Sequence, residues 1–237
     1  MNINSIRNKF DFLKVIISNN VDILAIAETK LDNTFPTSQF ILEGFHPPFR
    51  YDRNRFGGGI LVYVRNSVPA KELKEYQLPD NIECGFLEIN INNKKWLLAN
   101  IYRPPSQGEG YFFQEIGKSL DHFSLKFENF ILMGDFNTEE NDENISNFME
   151  SYSLKNIVKD PTCFKSERPR TIDLILTNRV HNFQNTMTVE TGLSDFHCMI
   201  ATVLKGGFVK RVLRSSITRT TANLIFIASE KISKMEF

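Results

Sequence analysis

The sequence lacks any apolar run approaching the roughly 20 residues that cross a bilayer, and its opening, MNINSIRNKF, carries charges where an export signal needs an apolar stretch. The expectation is an intracellular protein with no membrane partner, no signal peptide and no transmembrane segment. Cysteine is scarce as well. Cys84, Cys163 and Cys198 are odd in number, widely spaced and without a CxxC pair, which argues against a disulfide scaffold or a zinc site. An excess of charge of one sign is also missing: 28 Lys and Arg stand against 28 Asp and Glu, so no global field draws the chain to a polyanion. Any such partner has to be gripped locally. There is no internal repeat and no low-complexity stretch, and no feature from which a protein partner can be inferred.

What is present is material for one core. A chain of 237 residues, 41% hydrophobic and with 21 Phe, can bury enough apolar surface for a single substantial domain. Apolar residues recur from Ile6 through Phe10, Leu13 and Ile17 at helical spacing, and Asn19 and Asn20 then end the expected helix. VDILAIA, residues 21–27, reads as a buried strand that delivers Glu28 at its end. Gly57 to Gly59 lead into the strand ILVYVR. CGFLEINI and KKWLLANIY flank a turn at Asn92 and Asn93 and read as a hairpin. An amphipathic helix through Phe112, Ile116, Leu120 and Phe123 follows, then the strand FILMG, a helix near Ile145 to Leu154, and strands at TIDLIL and CMIATVL. Hairpins mixed with helical crossovers predict a four-layer α/β sandwich: two mixed β-sheets packed face to face, with helices outside.

Polar residues gather where these strands end. Gly134-Asp135-Phe136-Asn137 follows an apolar strand, and a carboxylate and an amide two residues apart project to one side. Read alone, the tetrapeptide is equally an ordinary turn in which both side chains bond their own backbone. Glu28, Tyr102 and Asp195 taken singly are a solvated charge, a core-capping ring and a turn residue. Together, oxygen-bearing residues at four strand ends suit a single task, holding Mg²⁺ (or Mn²⁺) beside a phosphate.

The ordered set is more specific than any member of it. Asn2-Ile3-Asn4-Ser5, AIAETKL, RFGGGILVYV, LANIYRPP, MGDFN, TIDLIL and GLSDFH resemble, in sequence order, the endonuclease/exonuclease/phosphatase superfamily. Within it the chain resembles the apurinic/apyrimidinic endonuclease-like endonuclease domain of non-LTR retrotransposons, over residues 2 to about 204. The resemblance implies that Glu28 and Asn2 hold the metal, that Tyr102 and Asn137 bind the phosphate, and that Asp135 orients or deprotonates the attacking water. It further implies that Asp173 orients a catalytic histidine, that Asp195 supports the metal or the base, and that Thr162, Arg103 and Arg170 contact the DNA. The implied activity is a Mg²⁺-dependent phosphodiesterase that nicks DNA and leaves a 3′-hydroxyl, nuclear if it acts on genomic DNA.

Two departures from the family pattern bear on activity. Only Met1 precedes Asn2, where a first strand is expected, so the start resembles a clipped one that leaves neighbouring strands exposed. The family's Ser-Asp-His reads Ser194-Asp195-Phe196-His197 here. In an extended strand His197 points away from the site and Phe196 takes its place; a local bulge returns it. Both outcomes stay open, and with them an inactive relic that at most binds DNA weakly. A third reading keeps the fold but takes phosphatase-type substrates, and GGGILVYVR and YRPP speak against it. From Gly206 on, six Lys and Arg face two Asp and Glu. This basic tail is expected to be a separate, poorly ordered appendage dispensable to the core, with a DNA-binding arm or a short helix at LIFIA as alternatives.

Overall fold

The structure is a computed structural model and describes residues 1–17, 21–205 and 223–225. Helix α1, Phe10–Ile17, buries Phe10, Leu13 and Ile17, the stripe its spacing predicts. It starts one turn later than the pattern suggested, because Asn4 and Ser5 have positive φ values of 48° and 82° that a helix cannot accommodate. Its expected stop at Asn19 and Asn20 lies outside the described residues.

The strands are β1 (Ile23–Ala27), β2 (Phe49–Tyr51), β3 (Ile60–Val64), β4 (Ala70–Glu72), β5 (Glu83–Ile91) and β6 (Lys94–Tyr102). Helix α2 (Glu109–Ser124), β7 (Phe130–Asp135), helix α3 (Glu143–Ser151), β8 (Lys155–Asn156), β9 (Asp173–Thr177), β10 (Phe183–Val189), β11 (Met199–Leu204) and β12 (Asn223–Ile225) follow. They form two six-stranded sheets, ordered β10-β11-β12-β1-β3-β2 and β4-β5-β6-β7-β9-β8. Each sheet is mixed: β1 runs parallel to β12 and β6 parallel to β7, while the other pairs are antiparallel. The β5–β6 hairpin turns at Asn92 and Asn93, whose φ values of 55° and 59° suit the twist of a two-residue connection.

Side-chain alternation assigns the layers. In β6, Trp96 and Leu98 join the core between the sheets, whereas Leu97, Ala99 and Ile101 join a second core beneath α2 and α3. Asn100, fully buried, ties the sheets together by donating from Nδ2 to the Ile26 and Leu61 carbonyls, each at 3.2 Å. With α1 packed into the first core and α2 and α3 over the second, the expected four-layer sandwich is present.

Residues near both ends of the chain pair with β1. The open side of β1 is not bare: Ile225 pairs with Ile23 at one end, while the Ile3 amide donates to the Ala27 carbonyl and the Ala27 amide to the Met1 carbonyl at the other. Ile23, Leu24 and Ile26 are consequently fully buried. Of the tail, Asn223–Ile225 is a strand between β1 and β11, where two strand edges meet and a third strand satisfies both. The remainder of the tail lies outside the described residues. Among the described residues no helix is long and apolar enough to cross a membrane.

Candidate active site

One end of the sandwich collects the polar residues. Tyr102 and Asp135 are paired last residues of the parallel strands β6 and β7, and Asp135 lies opposite Asp173, the first residue of β9. Register alone therefore brings these three together. Gly134 makes that register possible: its φ is 142°, and a Cβ there would lie 1.8 Å from the Ile101 carbonyl oxygen. Glu28 follows β1 with a φ of 56°, and the loop after it is held by the Thr29 and Lys30 amides donating to the Gly59 and Gly58 carbonyls. A Cβ on Gly59 would meet Thr29 Oγ1 at 2.5 Å, which explains the glycine-led entry to β3.

Glu28 and Asp135 line a cavity of about 790 Å³ together with Asn2, Asn137, Arg170 and His197, while the buried Tyr102 and Asp173 meet it only through Glu28 and His197. Asp135 is buried, accepting from Asn2 Nδ2 at 2.8 Å and from the Asn137 amide at 3.0 Å. The Asn137 amide bond is the local turn that the sequence alone suggests for Gly134 to Asn137. Burial, and then the nearby Asp173 charge, push the Asp135 carboxyl up to about 7 against the opposing pull of His197, Asn2 and Asn137. Glu28 accepts a hydrogen bond from the Tyr102 hydroxyl and lies 3.7 Å from Lys30 Nζ. Burial and the Glu28 contact raise the Tyr102 phenol well above its usual range, so it remains a donor.

His197 reaches the site. Residues 192–196 pass through successive bends, so strand alternation does not apply to them. The His197 amide donates to Ser194 Oγ at 3.3 Å, and Phe164 and Cys198 pair their amides with the Phe196 and Thr162 carbonyls. The imidazole Nδ1 consequently lies 2.8 Å from Asp173 Oδ2. Burial works against the imidazolium, but the hydrogen bond and charge of Asp173, assisted by Asp135, outweigh it and raise the His197 pKa. Phe196 stands at the cavity rim, 45% exposed.

The other expected residues differ in their access to this cavity, whose lining also includes Arg103. Thr162 is fully buried, and its Oγ1 accepts from the Ile172 and Asp173 amides, so its side chain offers no surface to a polymer. Arg103 is 3% exposed; its guanidinium donates to the Phe136, Gln107 and Asn137 carbonyls and pairs with Glu109 at 2.9 Å. Asn137 returns a bond to the Arg103 carbonyl at 2.8 Å. Arg170 is exposed, 3.5 Å from Glu139. Asp195 is also exposed and accepts a hydrogen bond from Asn4 Nδ2 at 3.3 Å. Sequence reasoning missed Cys163, whose Sγ lies 3.6 Å from His197 Nε2, and Lys30, which donates to Asn4 Oδ1 at 2.5 Å. No local pattern marks either, since both partners are distant in sequence.

A double-sheet sandwich with carboxylates and a carboxylate-held histidine at one end is the architecture of the metal-dependent phosphodiesterases and nucleases. The chain belongs to the Endonuclease/Exonuclease/phosphatase family, whose sequence profile matches residues 1–195. Similar solved structures include a variant of the 3′ phosphatase NExo from Neisseria bound to a product DNA hairpin, with 14% identity over 86% of this chain and 97% of that one, TM-score 0.68. The endonuclease domain of TRAS1, a telomere-specific non-LTR retrotransposon, is 12% identical over 90% of this chain and 97% of that one, TM-score 0.64. An AP endonuclease from Archaeoglobus fulgidus is 15% identical over 86% and 96%, TM-score 0.63. At these identities the likeness is one of fold. No curated protein matches the chain in sequence.

Proposed function

We propose that the chain is a Mg²⁺-dependent DNA endonuclease of the retrotransposon type, which hydrolyses one phosphodiester and leaves a 3′-hydroxyl. The observation that carries this reading is the placement of Asp135 and the Asp173-held His197 in one cavity with Glu28. The donors offered by Glu28, Asn2 and Asp135 are all oxygens, which fits a hard divalent cation, and Asp173 Oδ1 is a buried carboxylate oxygen without a hydrogen-bond partner among the described residues. Glu28 and Asn2 would hold the cation, which supplies charge neutralisation at the scissile phosphate.

The chain's own residues divide the remaining work. Asp135, with a carboxyl near neutrality, takes a proton from the attacking water. His197, kept cationic by Asp173, donates to a phosphoryl oxygen through Nε2. Asn137 and Tyr102 orient the phosphate, and Arg170 at the exposed edge meets the neighbouring backbone. Asp195 steadies the Asn2–Asn4 segment through Asn4. Thr162 and Arg103 act behind the site, the first by fixing Asp173 and the second by fixing the loop around Asn137.

The retrotransposon assignment is supported by the RFGGGILVYV and YRPP segments and by the likeness of fold to the TRAS1 domain. The test is a supercoiled-plasmid nicking assay in Mg²⁺ with an EDTA control and a phosphomonoester substrate in parallel. Nicking abolished by EDTA, with no turnover of the monoester, is the expected result. Monoester turnover alone would transfer the chain to the phosphatases, and no hydrolysis of either would make it a relic.

A further inference from the structure

We infer that Glu83, paired with Arg53, is a positioning residue for the hydrolytic site, fixing the Glu28 carboxylate from two sides: through the backbone that follows Glu28 and through Tyr102. The inference rests on the reading of Glu28 as a holder of the cation. Glu83 opens β5 and is buried, and no step of the proposed reaction uses it. A buried carboxylate is costly unless its oxygens are satisfied, and both of these are. Oε2 accepts from the Gly59 amide and Oε1 from Arg53 Nη1, each at 2.6 Å. The guanidinium also donates from Nε to the Gly57 carbonyl at 3.0 Å, so one ion pair grips the 57–59 loop at two points.

The first arm runs through that loop. Glu28 and Lys30 hold φ values of 56° and 53°, which residues with side chains keep only where the surroundings enforce them. The enforcing bonds are those of the Thr29 and Lys30 amides to the Gly59 and Gly58 carbonyls, at 3.0 and 2.9 Å. Gly59 thus gives its amide to Glu83 and its carbonyl to the residue next to Glu28. Gly58 leaves room for the grip, since a Cβ there would lie 2.5 Å from both Glu83 Oε2 and Arg53 Nε. The second arm runs through Tyr102, the register partner of Glu83 across β5 and β6. The Arg53 guanidinium lies 5.8 Å from the centre of the Tyr102 ring, whose hydroxyl donates to the Glu28 carboxylate. Loss of the Glu83 carboxylate frees Arg53 and the Gly59 amide together, so both arms slacken at once. Groups that orient a metal's ligands from behind are worth roughly 10- to 100-fold in affinity, so the effect belongs in ion binding and not in stability alone.

The test is calorimetric titration of the full chain with Mn²⁺, beside nicking assays over a range of Mn²⁺ concentrations. Glu83→Ala should bind Mn²⁺ at least about tenfold more weakly and recover nicking as Mn²⁺ is raised. Glu83→Gln, which can still accept from the Gly59 amide, should lose less. Melting curves establish that each variant is folded; if Glu83→Ala does not fold, Arg53→Met, at a partly exposed position, carries the test and should also weaken Mn²⁺ binding. Unchanged Mn²⁺ affinity in a folded Glu83→Ala, or in Arg53→Met where that variant decides, overturns the inference and leaves the hydrolase reading intact. A natural chain that binds Mn²⁺ without nicking overturns the hydrolase reading, and the affinities still decide the role of Glu83. A natural chain that binds no Mn²⁺ overturns both.

Discussion

His197 Nδ1 and Asp173 Oδ2 lie 2.8 Å apart, although one residue more separates Asp195 from the histidine than the family pattern has. The extra residue is absorbed by the bends of residues 192–196, which leave Phe196 at the rim and turn His197 inward. A variant that moves histidine to position 196 therefore places it where the exposed phenyl ring now stands. His197→Ala should lower Mg²⁺-dependent nicking by roughly 10²- to 10⁴-fold, the range for loss of a positioned acid or base. The double variant Phe196→His with His197→Ser should regain none of it. A double variant faster than the natural chain would show that the observed placement of His197 is not the working one.

How much of this was readable beforehand depends on the range of the interactions. Glu28, Tyr102 and Asp135 were legible because each ends an apolar strand, and the parallel register of β6 and β7 then sets Tyr102 beside Asp135. The layers were legible from the same alternation. His197 was not, because its direction is fixed by pairing with residues 162–164, more than thirty positions away, rather than by its own strand. Arg103 and Thr162 carry no sign in their neighbours that they face inward. The start of α1 was misjudged because the spacing continues through Ile6, which is buried without being helical.

The oxygen donors and the raised partners around them predict a dependence on metal that falls hardest on one residue. EDTA should abolish nicking, Mg²⁺ or Mn²⁺ should restore it, and Glu28→Ala should be far more damaging than Arg170→Ala. Its melting temperature should stay close to that of the natural chain, since the Glu28 side chain is partly exposed and its backbone bonds are retained. Equal activity losses in Glu28→Ala and Arg170→Ala would contradict this ranking, because Arg170 contributes only positioning.

Proton linkage sets the pH response. The folded-state pKa of Asp135, about 7, lies above its ordinary 3.8. The contribution of its burial to stability is thus fully present below the ordinary value and is lost as pH rises through about 7. His197 is also raised, so the stability its partners supply is complete below its ordinary 6.5 and is lost above its folded value. Both groups act in the same direction: measured in EDTA, the melting temperature should fall as pH rises from 3.8 through about 7 with Asp135, and His197 should extend the fall above 6.5. Asp135→Asn should flatten the fall while abolishing nicking. A melting temperature that climbs over this range would reverse the sign and refute the assignment.

Arg103→Ala should behave as a stability variant first. It removes charge-assisted bonds to three carbonyls and leaves Glu109 unpaired, at a cost near the roughly 3 kcal/mol lower bound for breaking a buried ion pair. For a chain of this size that corresponds to a melting temperature lower by about 6–12 °C. An unchanged melting temperature with a weakened affinity for DNA would show instead that Arg103 turns outward to the phosphates.

The last prediction concerns the segment beyond Lys205. Asn223–Ile225 pairs in parallel with β1 and antiparallel with β11, so three residues satisfy two edges that otherwise end at water. β1 delivers Glu28, and β11 follows directly from His197 and Cys198; both edges thus belong to the strands that carry the site. An unpaired edge is a template for association with another chain, and a lost strand in a sheet this size also removes burial between β1 and β11. Deleting residues 206–237 should therefore lower the melting temperature by several degrees, at roughly 2–4 °C per kcal/mol, and increase aggregation on heating. Replacing Leu224 with Pro tests the pairing without shortening the chain, since Pro cannot donate to a ladder and is poorly tolerated between two strands. Both variants should lose stability together, by calorimetry and by light scattering. If truncation and Leu224→Pro both leave the melting temperature unchanged, β12 contributes nothing to the sheet, and the tail is the dispensable appendage that its composition first suggested.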